Sequence, residues 1–550
     1  MRVGSRTAAV AGAAGIALVL AACGGGTDDD GGASSAPSGS IVIGGCNPEN
    51  PLIPSATNEV CGGNPLDAVF SGLIRYDPET GEAVNEIAQS IESDDNIVWR
   101  VTLEDGWTFH DGSPITAQSF VDAWNWGVHG ENSAYSLNEY FFEPIEGYEE
   151  SRGEFDDEGN YVPGSGAETL SGLEVIDELN FTITLKAPEA GFPQRLGYTA
   201  FFPLPEGFYA DPDAFGQQPI GSGPFRLASW NQNQNLQLEA YEGYQGEVKP
   251  KAEQITFRMY QQRDAEYADL LADNVDVVTQ LPPSALAGEA YKADLGERYV
   301  ERETGVIYTI TFASPEVNPE VDDANLRKAV SLAINRELII DNIFQGQFTA
   351  ATGWVSPVVE GYLPDQCGDL CEYDAELART YLADSGFEGP ITFGYNGDGA
   401  HDEWVNAACN SISNALDIEC QPQSVPLFAE FRQQINARET GDMTMFRTGW
   451  QMDYPSIENF LVPLYATGAS ANDNDYSNPE FDDLVGQAAQ AQDDEALALY
   501  QEAERQLVDQ MPVIPLWYGK TIAGFSTRVA PDSVKITPFG TLDLLSITGR

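Results

Sequence analysis

The sequence predicts an α/β protein with more than one compact unit. Short stretches alternate apolar and polar residues with the period of a strand, others repeat apolar residues at helical spacing, and the two kinds interleave along the chain. The length of 550 residues exceeds what one core holds, at roughly 150 residues per domain.

The strand-like segments are 40–44, 97–103 and 181–185, where apolar residues at every other position put one face on a core. Helical spacing covers 117–126, 326–344, 374–385 and 493–510. Ahead of the first helix, Asp111-Gly112 reads as a turn, Pro114 stiffens the approach and Thr116 is the candidate cap. The acidic run 149–158 and Pro163-Gly164-Ser165-Gly166 read as a long solvated excursion. There is no internal repeat.

Arg2 and Arg6 precede an apolar run from Ala8 to Ala22. It is shorter than the ~20 residues a membrane span needs and fits the core of a secretory signal. The run ends in Leu20-Ala21-Ala22-Cys23, which resembles the cleavage and lipidation box of bacterial lipoproteins, so Cys23 is the expected lipid attachment point. A Gly/Ser/Asp tract from Gly24 to Ser40 then reads as a solvated tether.

Lys plus Arg number 27 against 86 Asp plus Glu, a net charge of −59. Such a chain repels nucleic-acid phosphates, which excludes that class of partner, and it repels anionic lipid, so a membrane tether must be covalent or hydrophobic. Three His residues, His110, His129 and His401, argue against a zinc enzyme. Beyond Cys23, six cysteines remain in three near-neighbour pairs, Cys46 with Cys61, Cys367 with Cys371 and Cys409 with Cys420. In an exported chain these read as disulfides. A metal site at Cys367 and Cys371 is the alternative for that pair.

Sequence signatures of hydrolases and phosphate loops are missing. Ile220 stands where a G-x-S-x-G would begin, and no S-x-x-K or H-E-x-x-H occurs. Gly519-Lys520-Thr521 mimics the end of a phosphate loop, but Ile514 replaces its glycine and Pro512 and Pro515 break the segment. Paired carboxylates acting as acid and base stay open, since 86 acidic residues make any chosen pair uninformative.

Several segments in order resemble one family. They are 86–92 with 99–122, containing Phe109-His110-Asp111-Gly112-Ser113-Pro114-Ile115-Thr116-Ala117, then 219–225, 325–336, 442–461, 476–484 and 504–518. The chain resembles the family 5 solute-binding proteins of ATP-driven importers, the oligopeptide and dipeptide binders. The resemblance implies a type II periplasmic-binding-protein clamshell, with two lobes, an extra domain and a ligand held in the cleft between the lobes. It implies a signal peptide at 1–22, a tether at 23–40 and a discontinuous first lobe from 41–71, 203–305 and 517–550. The inserted domain would be 72–202 and the last lobe 306–516. It also implies hinge closure on a peptide, delivery to a permease with a cytoplasmic ATPase, no catalysis, no cofactor, and a monomer lipid-anchored outside the cell membrane.

The family's ligand motif corresponds to Arg447-Thr448-Gly449-Trp450-Gln451-Met452-Asp453-Tyr454. Asp453 stands where the oligopeptide binders accept the ligand's α-ammonium, and Arg447 where some members meet its carboxylate. Trp450 is expected to line the cleft and Tyr454 to join it. A solvated Asp453, a structural ion pair at Arg447 and plain core packing of Trp450 are the competing roles. Gln451 and Pro455-Ser456-Ile457 depart from the family pattern, which leaves pocket depth and ligand length open. Same-fold relatives that bind nickel chelates, haem, opines or oligosaccharides supply the alternative ligand classes, and an anchored carboxylate-dependent hydrolase supplies the alternative activity.

Overall fold

The computed structural model describes residues 39–156, 160–399, 401–469 and 471–550. The expected signal peptide, Cys23, the tether up to residue 38 and residues 157–158 of the acidic run lie outside the described residues.

Strands and helices alternate around one large mixed sheet. Across it the strands run Cys420–Val425, Ile391–Asn396, Met445–Gln451, Tyr299–Phe312, Val513–Phe525, Val277–Val278, Ser40–Gly45, Gln254–Met259, Asn235–Ala240 and Phe225–Asn231. The first strand shows how the pattern builds the layers. Ser40–Gly45 pairs in parallel with Gln254–Met259 and Val277, and both its faces are covered. Ile41 and Ile43 enter one apolar core, while Val42 enters a small separate one with Leu270, Val275 and Leu295. A second, antiparallel sheet orders Ala88–Glu92, Val98–Leu103, Asn180–Thr184 and Leu173–Asp177. Its inward Trp99, Val101, Phe181 and Ile183 pack with Phe120 and Trp124 of the helix Ala117–Val128. Burying each such large side chain stabilises by ~1.5–3 kcal/mol. Thr116 is that helix's cap residue, and its N–H donates to Ser119 Oγ at 3.2 Å. This apolar core is continuous with that of the first strands.

A further core gathers side chains from Ile307 to Tyr518. The long strands Tyr299–Phe312 and Val513–Phe525 connect it to the rest, and their pairing breaks midway. One register runs from Tyr299 opposite Gly524 to Glu303 opposite Lys520, a second holds Ile307 opposite Tyr518 and Tyr308 opposite Trp517, and a third runs from Thr309 opposite Pro515 to Thr311 opposite Val513. Gly305 and Gly519 sit in the first break. A Cβ on Gly305 would fall 2.2 Å from Met452 Sδ, and one on Gly519 would fall 2.8 Å from Val306 Cβ. The apolar side chains divide at the same place, Val300 and Ala523 packing with the first core and Ile307 and Tyr518 with the other.

Two segments differ from the sequence expectation. The helical stretch 326–344 is two helices, Ala324–Ala333 and Arg336–Asn342. Asn335 breaks it, because its side chain caps the second helix by accepting from Leu338 N at 3.0 Å. The acidic run is not wholly a solvated excursion, since Tyr148–Arg152 forms a short helix that buries Tyr148 and Ser151. The structure joins Cys46 to Cys61, Cys367 to Cys371 and Cys409 to Cys420.

Candidate functional site

A cavity of about 1020 Å³ opens between the two large cores. One wall comes from the helix Val60–Val69 and the segment 197–202, another from residues 451–453 at the C-terminal end of the strand Met445–Gln451, and a third from residues 535–546. Asp453 stands on this wall, half-buried. Asn459 holds it there. The Asn459 Oδ1 accepts from Asp453 N at 2.9 Å, and its Nδ2 donates to Asp453 Oδ2 at 3.3 Å. Burial pushes the Asp453 carboxyl up to about 6, against the opposing pull of Asn459 and the Arg195 guanidinium. A carboxylate denied water in this way gains most from a cationic partner.

Three tyrosines face the same space: Tyr76, Tyr140 and Tyr198. Tyr198 stacks on Phe141 at 3.8 Å, and the Tyr76 hydroxyl donates to Gln194 O at 2.6 Å. Burial raises all three phenols, and the Asp453 charge raises them further, so they remain neutral hydrogen-bonding groups. Asp67, on the helix Val60–Val69, also lines the cavity. The cavity makes its side chain accessible, while the surrounding protein still pushes its carboxyl up to about 7 by desolvation.

The expected ligand motif is divided. Arg447 and Trp450 line a separate cavity of about 240 Å³ and do not line the larger one. Arg447 donates through Nε to Asn396 Oδ1 at 2.8 Å, and its guanidinium lies over Phe428 and Phe431 at 5.0 and 5.6 Å. Trp450 Nε1 donates to Asn459 Oδ1 at 3.0 Å, so Asn459 ties this tryptophan to Asp453. Tyr454 corrects the expectation: it is fully buried and faces neither cavity. Its hydroxyl donates to Glu458 Oε2 at 2.5 Å, and the Arg195 guanidinium lies 4.9 Å from its ring centre. Arg195 also pairs with Glu189 at 2.5 Å and Glu458 at 3.7 Å. Tyr454 therefore belongs to a buried ionic cluster behind Asp453.

Sequence reasoning missed Asn459, Asp67, Tyr76 and Tyr198. Asn459 had a local signal, since it sits in the first turn of the helix Ile457–Tyr465 that follows the motif, behind the cap Ser456. The others come from distant segments that only the fold brings to the cavity.

A mixed α/β fold whose cavity lies between two cores joined by paired long strands is the architecture of a solute-binding protein. The chain belongs to such a family: the family model described as bacterial extracellular solute-binding proteins, family 5 Middle, matches residues 82–472. Among characterised proteins, it is 26% identical over 488 residues to the oligopeptide-binding protein OppA of Bacillus subtilis (strain 168), covering 85% of each chain. It is 25% identical over 461 residues to the periplasmic murein peptide-binding protein MppA of Escherichia coli (strain K12), covering 82% of each. Among solved structures, the unliganded open form of MppA, a periplasmic murein tripeptide binding protein, superposes with a TM-score of 0.78 at 21% identity, over 94% of this chain and 98% of that one. That likeness supports the type II periplasmic-binding-protein fold.

Proposed function

We propose that the chain is the extracytoplasmic substrate-binding component of an ATP-driven importer, which captures peptides in the large cavity and hands them to a membrane permease. The observation that carries this is Asp453, a half-buried carboxylate fixed by Asn459 on the wall of a cavity of about 1020 Å³. A peptide's free α-ammonium is the natural partner for such a group. Relatives named for oligopeptide and murein-peptide binding support the ligand class. The interrupted register at Gly305 and Gly519 supplies the flexure by which lobe 306–516 closes on the remainder, which comprises 41–71, 72–202, 203–305 and 517–550.

The protein binds and releases without chemical change, as a monomer. Cys23 carries a diacyl or triacyl lipid, palmitate among its chains, that holds the protein on the outer face of the cell membrane. Arg447 and Trp450 act on the ligand from the separate small cavity, and Trp450 supports Asp453 through Asn459. Isothermal titration with a free-amine tripeptide and its N-acetyl form tests the proposal. Free-amine binding that acetylation weakens by at least tenfold is the expected result. Equal affinity for both would remove the amine contact, and turnover of either peptide would remove the pure binding role.

A further inference from the structure

We infer that Asp67 is a second cation-accepting subsite of the large cavity, so that the ligand it selects is a peptide with a basic side chain close to its free amino terminus. This rests on the peptide reading of the cavity and specifies which peptides it takes.

The position of Asp67 is rigid. Its helix, Val60–Val69, is tied at its start by the Cys46–Cys61 disulfide, and Glu59 caps it by accepting from Gly62 N at 3.0 Å. At the other end, Gly221 and Gly223 lie so close that a Cβ on them would fall 2.0 Å from Val69 O and 2.7 Å from Ala68 O. Ala68 and Val69 are buried, while Asp67 between Leu66 and Ala68 turns to the cavity.

The carboxylate is built in without a partner. Among the described residues Asp67 makes no side-chain hydrogen bond and no ion pair. Two of the cavity's basic groups are engaged elsewhere, Arg75 with Glu86 at 3.1 Å and Lys535 with Glu79. Desolvation by the surrounding protein, not loss of access, raises the Asp67 carboxyl, with no offset from a cation. A second acid repeats the pattern. Glu266 lines the same cavity, is 8% exposed, and its carboxylate has no hydrogen-bond partner among the described residues. Burial pushes Glu266 up to about 7, with Arg263 opposing.

Asp67 and Asp453 line the same cavity, together with Tyr76 and Tyr198. Each carboxylate raises the phenols of both Tyr76 and Tyr198. Tyr76 and Tyr198 line the cavity with both acids as neutral aromatic rings, whose faces favour cations. A ligand with only an α-ammonium satisfies Asp453 and leaves Asp67 facing water in a confined space. A ligand with a second ammonium or a guanidinium nearby satisfies both, and a second carboxylate is repelled. The net charge of −59 draws the same class of ligand toward the surface.

The test titrates the full chain with two free-amine tripeptides, Lys-Ala-Ala and Ala-Ala-Ala, using wild type, Asp67→Asn and Asp67→Glu. Wild type should bind the lysine peptide more tightly. Asp67→Asn should weaken that peptide by about ten- to a hundredfold and trialanine by less than about twofold. Retained trialanine binding shows that the variant is folded, and Asp67→Glu should keep part of the preference. Equal losses for both peptides, or no loss for either, overturn the inference and leave peptide capture standing. A wild type that binds neither peptide overturns peptide capture itself, and this subsite with it.

Discussion

Replacing Asp453 by Asn should move stability and affinity in opposite directions. In the folded protein the Asp453 carboxyl is pushed up from 3.8 to about 6. The native state thus prefers the protonated acid, and the stability this contributes is present below the unfolded value and lost as pH rises through about 6. Above that, the empty protein carries a charge it disfavours. A rise of that size corresponds to about 3 kcal/mol, at about 1.36 kcal/mol for each pH unit. Cavity water around a half-buried group reduces this to about 1–2 kcal/mol. Asp453→Asn keeps the shape and the acceptor for Asn459 Nδ2, so the ligand-free variant should be more stable than wild type near pH 8, by about 1–2 kcal/mol. The gap should narrow as the pH falls below about 6. Affinity for a free-amine peptide should instead drop by about 2–4 kcal/mol, or thirty- to a thousandfold. Denaturant melts of ligand-stripped protein, paired with calorimetry, read both quantities. A variant that is less stable and binds free-amine and acetylated peptides as wild type does would refute the reasoning, because Asp453 would then be a structural acid.

Other consequences follow from the same geometry. Asn459 is 1% exposed and accepts from both Asp453 N and Trp450 Nε1, so Asn459→Ala should cost ~1–3 kcal/mol for each donor left unpaired, read as a lower melting midpoint together with weaker peptide binding. Glu504 is fully buried, accepts from Trp354 N at 2.9 Å and has its carboxyl pushed up to about 7 by burial. Its stabilising contribution is present below the unfolded value of 4.5 and is lost as pH rises through about 7, so Glu504→Gln should flatten the decline in stability above neutrality in a pH series of melts. Cys23→Ala should move the protein from the membrane fraction to the medium, and equal retention of both forms would count against the lipid anchor.

The legible parts of the fold were those with local causes. The helix 493–510 and the strand 97–103 follow from periodicity, and the structure has them as Asp493–Gln510 and Val98–Leu103. The break at Asn335 was missed because the apolar spacing continues through it, and only the side-chain cap ends the first helix. The place of Asp453 on the cavity wall was legible because its motif is continuous in sequence. Tyr454 was misjudged because adjacency does not reveal which way a side chain turns: Asp453 meets the cavity while Tyr454 enters the Arg195 cluster. Asp67 carries no local mark among 86 acidic residues. Its significance comes from sharing the cavity with Tyr76, Tyr198 and Asp453, which is a property of the fold.

The most direct test of peptide capture is a crystal structure of the protein soaked or grown with a free-amine tripeptide. It should place the peptide in the large cavity with its terminal nitrogen about 3 Å from an Asp453 carboxylate oxygen. A peptide bound elsewhere, or one seated in the cavity with its amine away from Asp453, would contradict amine recognition by this residue.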